Sequence, residues 1–156
     1  MKTKNITWGA TIAALYVVLT FIAKMFNLDS GVVQVRFSEA LCVLPMFTSA
    51  AIPGLFVGCL LSNILAGGIV LDVIFGSIAT LIGAIGTRLL RKNKILAVIP
   101  PILSNTLREP FVLRYGYEIP GSVPYFMLTV GLGEILSCGV LGLLLYGAFK
   151  KTKLFK

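Results

Sequence analysis

The residues of this sequence that can do polar chemistry are few, and most lie inside or at the ends of apolar runs. Glu39, Asp72 and Glu134 are carboxylates and Asn63 and Asn105 are amides, each from a different apolar run. An ionisable side chain inside a membrane costs about 2.5 to 3.5 kcal/mol, so it persists where it faces a cavity or a partner. Polar groups from different runs at one depth therefore predict a binding pocket. Glu134 is the strongest candidate for ligand contact, because no basic residue lies within one helical turn of it.

Each of the other carboxylates has an alternative explanation that stays open at this point. Asp72 begins an apolar run and could serve as a helix N-cap. Glu39 lies three residues after Arg36, which would place the two on one helical face as a local ion pair. Glu109 could pair locally with Arg108 or Arg114.

Catalytic signatures are missing from the sequence. It contains no phosphate-binding loop, no nucleophile elbow, no zinc-protease motif and no histidine. We therefore predict a protein that is not an enzyme and that holds no metal and no cofactor. The sequence shows no convincing internal repeat of the kind that many secondary transporters use for alternating access. A stand-alone transporter or channel for a purine-like or cationic solute is therefore the second hypothesis. A predicted binding pocket in a sequence without an ATP-binding motif favours a binding subunit that takes its energy from a partner protein.

The elements that must position these residues are apolar. Hydrophobic residues make up 57% of the chain and charged residues 13%, and the mean hydropathy is +0.95. This composition predicts an all-α integral membrane protein, and the length predicts one domain over residues 1–156. Runs of about 20 apolar residues predict six transmembrane helices. The predicted spans are 6–23, 37–48, 51–66, 71–90, 95–113 and 123–149.

The apolar stretch 37–66 is too long for one crossing. As a single helix its 30 residues would extend about 45 Å, against a hydrocarbon core of about 30 Å. Thr48 and Ser49 followed by Pro53 predict a turn within 48–53, because proline is tolerated in the first turn of a helix. The stretch is therefore predicted to be a hairpin of two short helices.

The basic residues predict the orientation. Ten of them cluster at the two termini and in the turn between the fourth and fifth spans, and basic clusters favour the cytoplasmic side. This predicts a multi-pass protein of the cell membrane with both termini in the cytoplasm, and it places all six acidic residues in the outer half. The cluster residues are Lys2, Lys4, Arg88, Arg91, Lys92, Lys94, Lys150, Lys151, Lys153 and Lys156.

Small residues in the first span are spaced for close helix packing. Gly9 with Ala13 and Ala10 with Ala14 form two small-xxx-small pairs. The alternatives are packing within the chain and docking of another membrane subunit.

Three cysteines, Cys42, Cys59 and Cys138, fall inside apolar runs. Their odd number and spacing do not indicate a disulfide framework. They are predicted to be free, buried small residues.

Several segments together carry a resemblance to the QueT-like family. They are VQVRFSEALCVLP at 33–45, AIPGLFVGCL at 51–60, Ser62-Asn63, LDVIFGSIATL at 71–81, the double proline at 100–101 and GLGE at 131–134. The resemblance implies a six-helix, substrate-binding S component of an energy-coupling-factor (ECF) transporter for queuosine precursors of the 7-deazaguanine type. It implies as partners a membrane coupling subunit and two ATPase subunits, with Ala10 and Ala14 on the docking face.

For a deazaguanine ligand the required chemistry can be assigned to residue types. A carboxylate accepts from the ring N–H and the exocyclic amine, an amide or arginine satisfies the ring carbonyl, and aromatic rings stack on the plane. The candidates are Glu134 or Glu39 for the guanine edge, Asn105, Gln34, Arg36 and Asn63 for the carbonyl and ring, Asp72 for a cationic aminomethyl group, and Phe75, Tyr125 and Tyr115 for stacking.

Overall fold

A computed structural model describes residues 2–29 and 33–155, and within these ranges all regular secondary structure is helical, with no strand. Lys156, one of the predicted cytoplasmic lysines, lies outside them. The helices are α1 (Lys2–Met25), a 3-10 helix (Phe37–Met46), α2 (Ala51–Leu65), α3 (Val70–Leu89), α4 (Lys94–Phe111), α5 (Val123–Glu134) and α6 (Gly142–Thr152). A π-helical turn, Val112–Gly116, extends α4, and a π-helical segment, Ile135–Leu141, joins α5 to α6 without a break.

Three helical stretches are long and apolar enough to cross a membrane: α1, α3 and the continuous stretch 123–152. The 18 residues of α4 include three charged side chains, Lys94, Arg108 and Glu109. The 3-10 helix and α2 extend only about 20 Å and 22 Å at their standard rises, less than a hydrocarbon core of about 30 Å. An all-helical membrane protein is what these elements indicate, whereas six full crossings remain a prediction.

The chain reverses where the sequence predicted the turn. The 3-10 helix ends at Met46, α2 begins at Ala51, and Pro53 falls in the first turn of α2. The Thr48 hydroxyl accepts a hydrogen bond from the Ala50 amide at 3.2 Å. Proline has no amide proton to leave unpaired at this position, so the helix can begin here.

Helices α1 and α2 pack backbone against backbone. A Cβ on Gly54 would lie 2.7 Å from the carbonyl oxygen of Gly9, and a Cβ on Gly58 would lie 3.1 Å from the Cα of Ala13. Glycine is therefore required on α2 for this approach. The Gly9 and Ala13 pair is used inside the chain, while Ala10 and Ala14 are exposed one position further round α1.

The prediction that all three cysteines are free was wrong for two of them. Cys42 and Cys138, 96 residues apart, form a disulfide between the 3-10 helix and the π-helical segment. Cys59 is free and buried, as expected. An odd cysteine count says nothing about which two thiols the fold brings together, and these two meet only because the 3-10 helix packs against the π-helical segment.

Candidate functional site

A cavity of about 440 Å³ lies at one end of the bundle. Its walls come from the end of α1, the residues before and at the start of the 3-10 helix, the connection from α2 to α3, and the end of α4. This end is opposite to the basic turn between α3 and α4. The charged and amide side chains that line the cavity are Lys24, Asp29, Gln34, Arg36, Asn63, Asp72 and Glu109.

An alternating row of charges crosses the cavity wall. The Arg36 guanidinium pairs with Glu109 at 2.9 Å, and Glu109 also contacts Arg108. Arg108 in turn pairs with Asp72 at 2.6 Å, and the Tyr117 hydroxyl donates to the other Asp72 oxygen at 3.0 Å. Asp72, Arg108 and Glu109 are largely buried, so these contacts are shielded from water and fix the side chains.

A second polar layer lies beneath the cavity. The Asn105 amide donates to Glu134 at 3.2 Å and to Glu39 at 3.4 Å, and the Tyr16 hydroxyl donates to Glu39 at 2.8 Å. All four residues are buried. Among the described residues, neither carboxylate has a guanidinium or ammonium group within ion-pair distance. This layer therefore places two neighbouring carboxyl groups, without a cationic partner, below a neutral row of ion pairs.

The two layers are connected through shared residues. Tyr16 and Ser38 line both the large cavity and a space of about 10 Å³ below it, and Glu39 and Asn105 line the lower space. Glu134 is reached through Asn105. The lower space is about the size of one water molecule, so a ring-sized ligand fits the upper cavity and not the lower one.

The structure brings most of the predicted site residues together. Gln34, Arg36, Asn63 and Asp72 line the cavity, and the deep carboxylates and Asn105 lie directly beneath it. The carboxylates thus belong to two tiers, a separation that no sequence spacing indicated.

The predicted stacking residues lie elsewhere. Phe75 is 49% exposed and Tyr125 is 47% exposed, on the outer surface and away from the cavity, and Tyr115 is 69% exposed. The reason is helical phase: Gly76 is the α3 residue that faces Asn63 and Arg108, and its neighbour Phe75 is turned about 100° away.

Two local alternatives also proved wrong. Helix α3 begins at Val70 with Ile69 as its N-cap, so Asp72 lies inside the first turn and is not the cap. Glu39 bonds to Tyr16 and Asn105, whereas Arg36 reaches across to Glu109. The predicted contact between Glu109 and Arg108 is present, in addition to the Arg36 pair.

Two tyrosines of the site were missed by sequence reasoning. Tyr16 is 3% exposed and lines both spaces, and Tyr117 lines the cavity from the loop after α4. A tyrosine in an apolar helix is compatible with many environments, so its type gave no signal. Tyr16 follows Ala13 by three residues and Gly9 by seven, which places it on the same face of α1 as these two residues. This spacing is the signal that could have placed it inside.

Electrostatics at the cavity edge keep two groups in one protonation state. The Glu109 carboxylate raises the pKa of Arg36, so the guanidinium stays charged. Burial, and then the Asp72 carboxylate, raise the pKa of Tyr117, so the phenol stays neutral and remains a hydrogen-bond donor.

No cluster of residues that could hold a metal ion occurs in the described ranges. What the cavity offers instead is carboxylates, one guanidinium group, one ammonium group, amides and two phenol rings around a space of ligand size. This set can bind a planar, polar molecule through donors and acceptors at its edges and contacts on its faces.

Comparison with known proteins places the chain in a family. A family model described as QueT transporter matches residues 6–151. A curated relative, the queuosine precursor transporter QueT of Lactococcus lactis subsp. cremoris (strain MG1363), is 38% identical over 81 residues, which cover 52% of this chain and 47% of the relative. The match thus spans about half of each protein, and no solved structure matches. Because the family model covers nearly the whole chain, from α1 to α6, the chain belongs to the QueT transporter family.

Proposed function

We propose that this chain is the substrate-binding membrane subunit of an ECF-type importer, and that it captures a 7-deazaguanine precursor of queuosine from the outer side. The observation that carries the proposal is the polar cavity of about 440 Å³, within the usual range of small-molecule sites. The name of the L. lactis relative indicates the same ligand class.

Recognition would first use the charged and amide side chains that line the cavity, which form the upper tier. Asp72 and Glu109 offer carboxylate oxygens to the ring N–H and the exocyclic amine, or to a cationic aminomethyl group. Gln34 and Asn63 offer amides to the ring carbonyl. Tyr117 takes the stacking role that the sequence had assigned to Phe75 and Tyr125, because its ring lines the cavity.

The second polar layer, which forms the deep tier, adds a preference for ligands with several N–H hydrogen-bond donors. Glu39 and Glu134 share the single amide of Asn105, so their oxygens have acceptor capacity left. Ser38 lies between the tiers. A ligand edge that carries N–H groups gains from the negative potential of this layer, whereas an anionic ligand is disfavoured.

Capture from outside follows from the charge distribution. The cavity lies at the end of the bundle opposite to Arg91, Lys92 and Lys94, which by the positive-inside rule face the cytoplasm. The cavity then opens outward. A binding site of this kind needs an energy source to move its ligand inward, and this chain carries no ATP-binding motif.

Partner docking would use the exposed face of α1. Ala10 and Ala14 are exposed, and Ala10 borders an apolar groove of about 470 Å³ between α1 and α2. Small residues let a second membrane helix approach closely. We therefore assign this face to the coupling subunit, with the two ATPase subunits attached to that partner.

Binding by the purified chain tests the ligand. Calorimetric titration with the cyano and aminomethyl deazaguanine precursors, guanine and queuine should show tight binding of at least one precursor. Glu109→Gln should weaken it at least tenfold, as expected for loss of a charge-assisted hydrogen bond. Glu118→Gln, an exposed glutamate outside the cavity, is the matched control and should stay within about twofold. No binding of any precursor would overturn the proposal.

Uptake assays test the partner. Ala10→Trp and Ala14→Trp should abolish uptake in cells but leave ligand binding intact, while Leu15→Trp, on the neighbouring stripe of α1, should preserve both. Proteoliposomes with this chain alone should not accumulate ligand. Accumulation driven by an ion gradient without ATPase subunits would instead favour the stand-alone transporter.

A further inference from the structure

One face of α5 and its π-helical extension holds the segment that leads into the 3-10 helix. Three contacts occur along it: Gly133 lies against the backbone of Gln34, Ser137 bonds to Arg36, and Cys138 is joined to Cys42. The segment from residue 34 to 42 supplies Gln34, Arg36 and Ser38 to the cavity. The conformation of this cavity wall is therefore set by a helix that does not itself line the cavity.

Gly133 permits the closest of these contacts. A Cβ at this position would lie 3.1 Å from the carbonyl carbon and 3.3 Å from the amide nitrogen of Gln34, and would press directly on the carbonyl oxygen. These are backbone atoms that cannot swing aside, so any larger residue would displace Gln34 and the chain that follows it.

Ser137 makes the polar contact. Its hydroxyl accepts a hydrogen bond from the backbone amide of Arg36 at 3.0 Å, and Ser137 is 1% exposed. Arg36 has an extended backbone, with φ of −113° and ψ of 108°, and immediately precedes the 3-10 helix. Its amide therefore lies outside the helical hydrogen bonds, and Ser137 supplies the acceptor that this partly buried donor needs.

We propose that Ser137 is a positioning residue for ligand binding: through the Arg36 backbone it fixes the guanidinium that pairs with Glu109 on the cavity wall. The inference rests on the proposed function of the cavity. The π-helical segment Ile135–Leu141 matters here because it widens the helix. The bulge lets two successive residues, Ser137 and Cys138, both contact the 34–42 segment, and π-bulges are frequent at functional sites.

The test is a double-mutant cycle on the full chain in nanodiscs, read by calorimetric titration of the precursor that the wild type binds. Ser137→Ala should weaken binding about fivefold to tenfold, the effect of one lost hydrogen bond. In an Arg36→Gln background the same substitution should change affinity less than twofold, because Ser137 acts through Arg36. A purely structural serine would give equal losses in both backgrounds.

Ser77→Ala is the matched control. Ser77 is equally buried at 1% exposure, but its hydroxyl donates to Val73 within its own helix at 2.7 Å and it does not line the cavity. The Ser77→Ala variant should bind the precursor with the affinity of the wild type. Ser137→Thr keeps a hydroxyl and should retain affinity within about twofold, and it covers the case in which Ser137→Ala fails to fold.

The possible outcomes separate the two proposals. Wild-type protein that binds no precursor overturns the proposed function. Wild-type protein that binds, together with Ser137→Ala of unchanged affinity or of equal loss in both backgrounds, overturns the positioning proposal and leaves the cavity function standing. An equal loss in Ser77→Ala also overturns it, since buried serines in general would then matter.

Discussion

Replacing Arg108 by glutamine should destabilise the fold more than any change of an exposed arginine. Arg108 is the central cation between Asp72 and Glu109, and the side chains of Arg108 and Asp72 are only 12% and 11% exposed. Removing one partner of a buried ion pair costs about 3 to 5 kcal/mol, because the other charge is left buried and uncompensated. Asp72 would keep Tyr117 and Glu109 would keep Arg36. We therefore expect the lower limit, about 3 kcal/mol.

A double-mutant cycle measures the pair itself. Asp72→Asn alone should also destabilise, while Arg108→Gln combined with Asp72→Asn removes both charges and should recover about 1 to 2 kcal/mol of the summed loss. Arg114→Gln is the control: this arginine is exposed and its change should stay within about 0.5 kcal/mol.

Equilibrium unfolding in mixed micelles, followed by circular dichroism, gives the four free energies. Additivity would contradict the expected coupling: the double mutant would then be as unstable as the sum of the two single mutants. A loss below about 1 kcal/mol for Arg108→Gln alone would also contradict it, since that is the value of an exposed pair.

Three further predictions concern the two tiers and the cysteines. Glu39→Gln and Glu134→Gln should each weaken precursor binding about threefold to fivefold, less than Glu109→Gln, because the deep carboxyl groups act on the ligand from beneath the cavity through their potential. Unchanged affinity in both would exclude the deep tier from recognition. The raised pKa of Tyr117 means that its neutral phenol stabilises the fold fully below its unfolded pKa of about 10 and that this contribution is lost as pH rises through the higher folded value. Tyr117→Phe should therefore reduce the alkaline loss of stability, and an unaltered pH profile of unfolding would argue against the contact. Maleimide labelling of the denatured chain should modify one cysteine before reduction and three after it, and labelling of three without reductant would contradict the Cys42–Cys138 disulfide.

Much of the architecture could be predicted from local properties. Apolar length placed every helix within a few residues of its observed bounds, and Pro53 with the hydroxyl residues before it placed the turn of the hairpin. These predictions succeed because a helix bonds its own backbone internally, and in an apolar setting it has no alternative way to satisfy those groups. The same argument says nothing about whether a short helix crosses fully, as the 10-residue 3-10 helix shows.

The site was predictable as a set of residue types but not as an arrangement. Polar residues in apolar runs identified Asn63 and Asp72, and the family resemblance added Arg36; all three line the cavity. Helical phase excluded Phe75 and Tyr125 from it, because rotation about the helix axis depends on packing and not on residue type.

Residue types and their spacing are enough to predict helices of given lengths, carboxylates inside apolar runs and two small-residue pairs on α1. Which groups meet depends on tertiary packing: Arg36 contacts Glu109 across 73 residues, Cys42 bonds to Cys138 across 96, and Gly9 faces inward while Ala10 stays exposed. Helix formation is a local property, whereas ion pairs, disulfides and close contacts depend on the rotation and depth of helices far apart in the chain. Those are set by how all the helices pack at once.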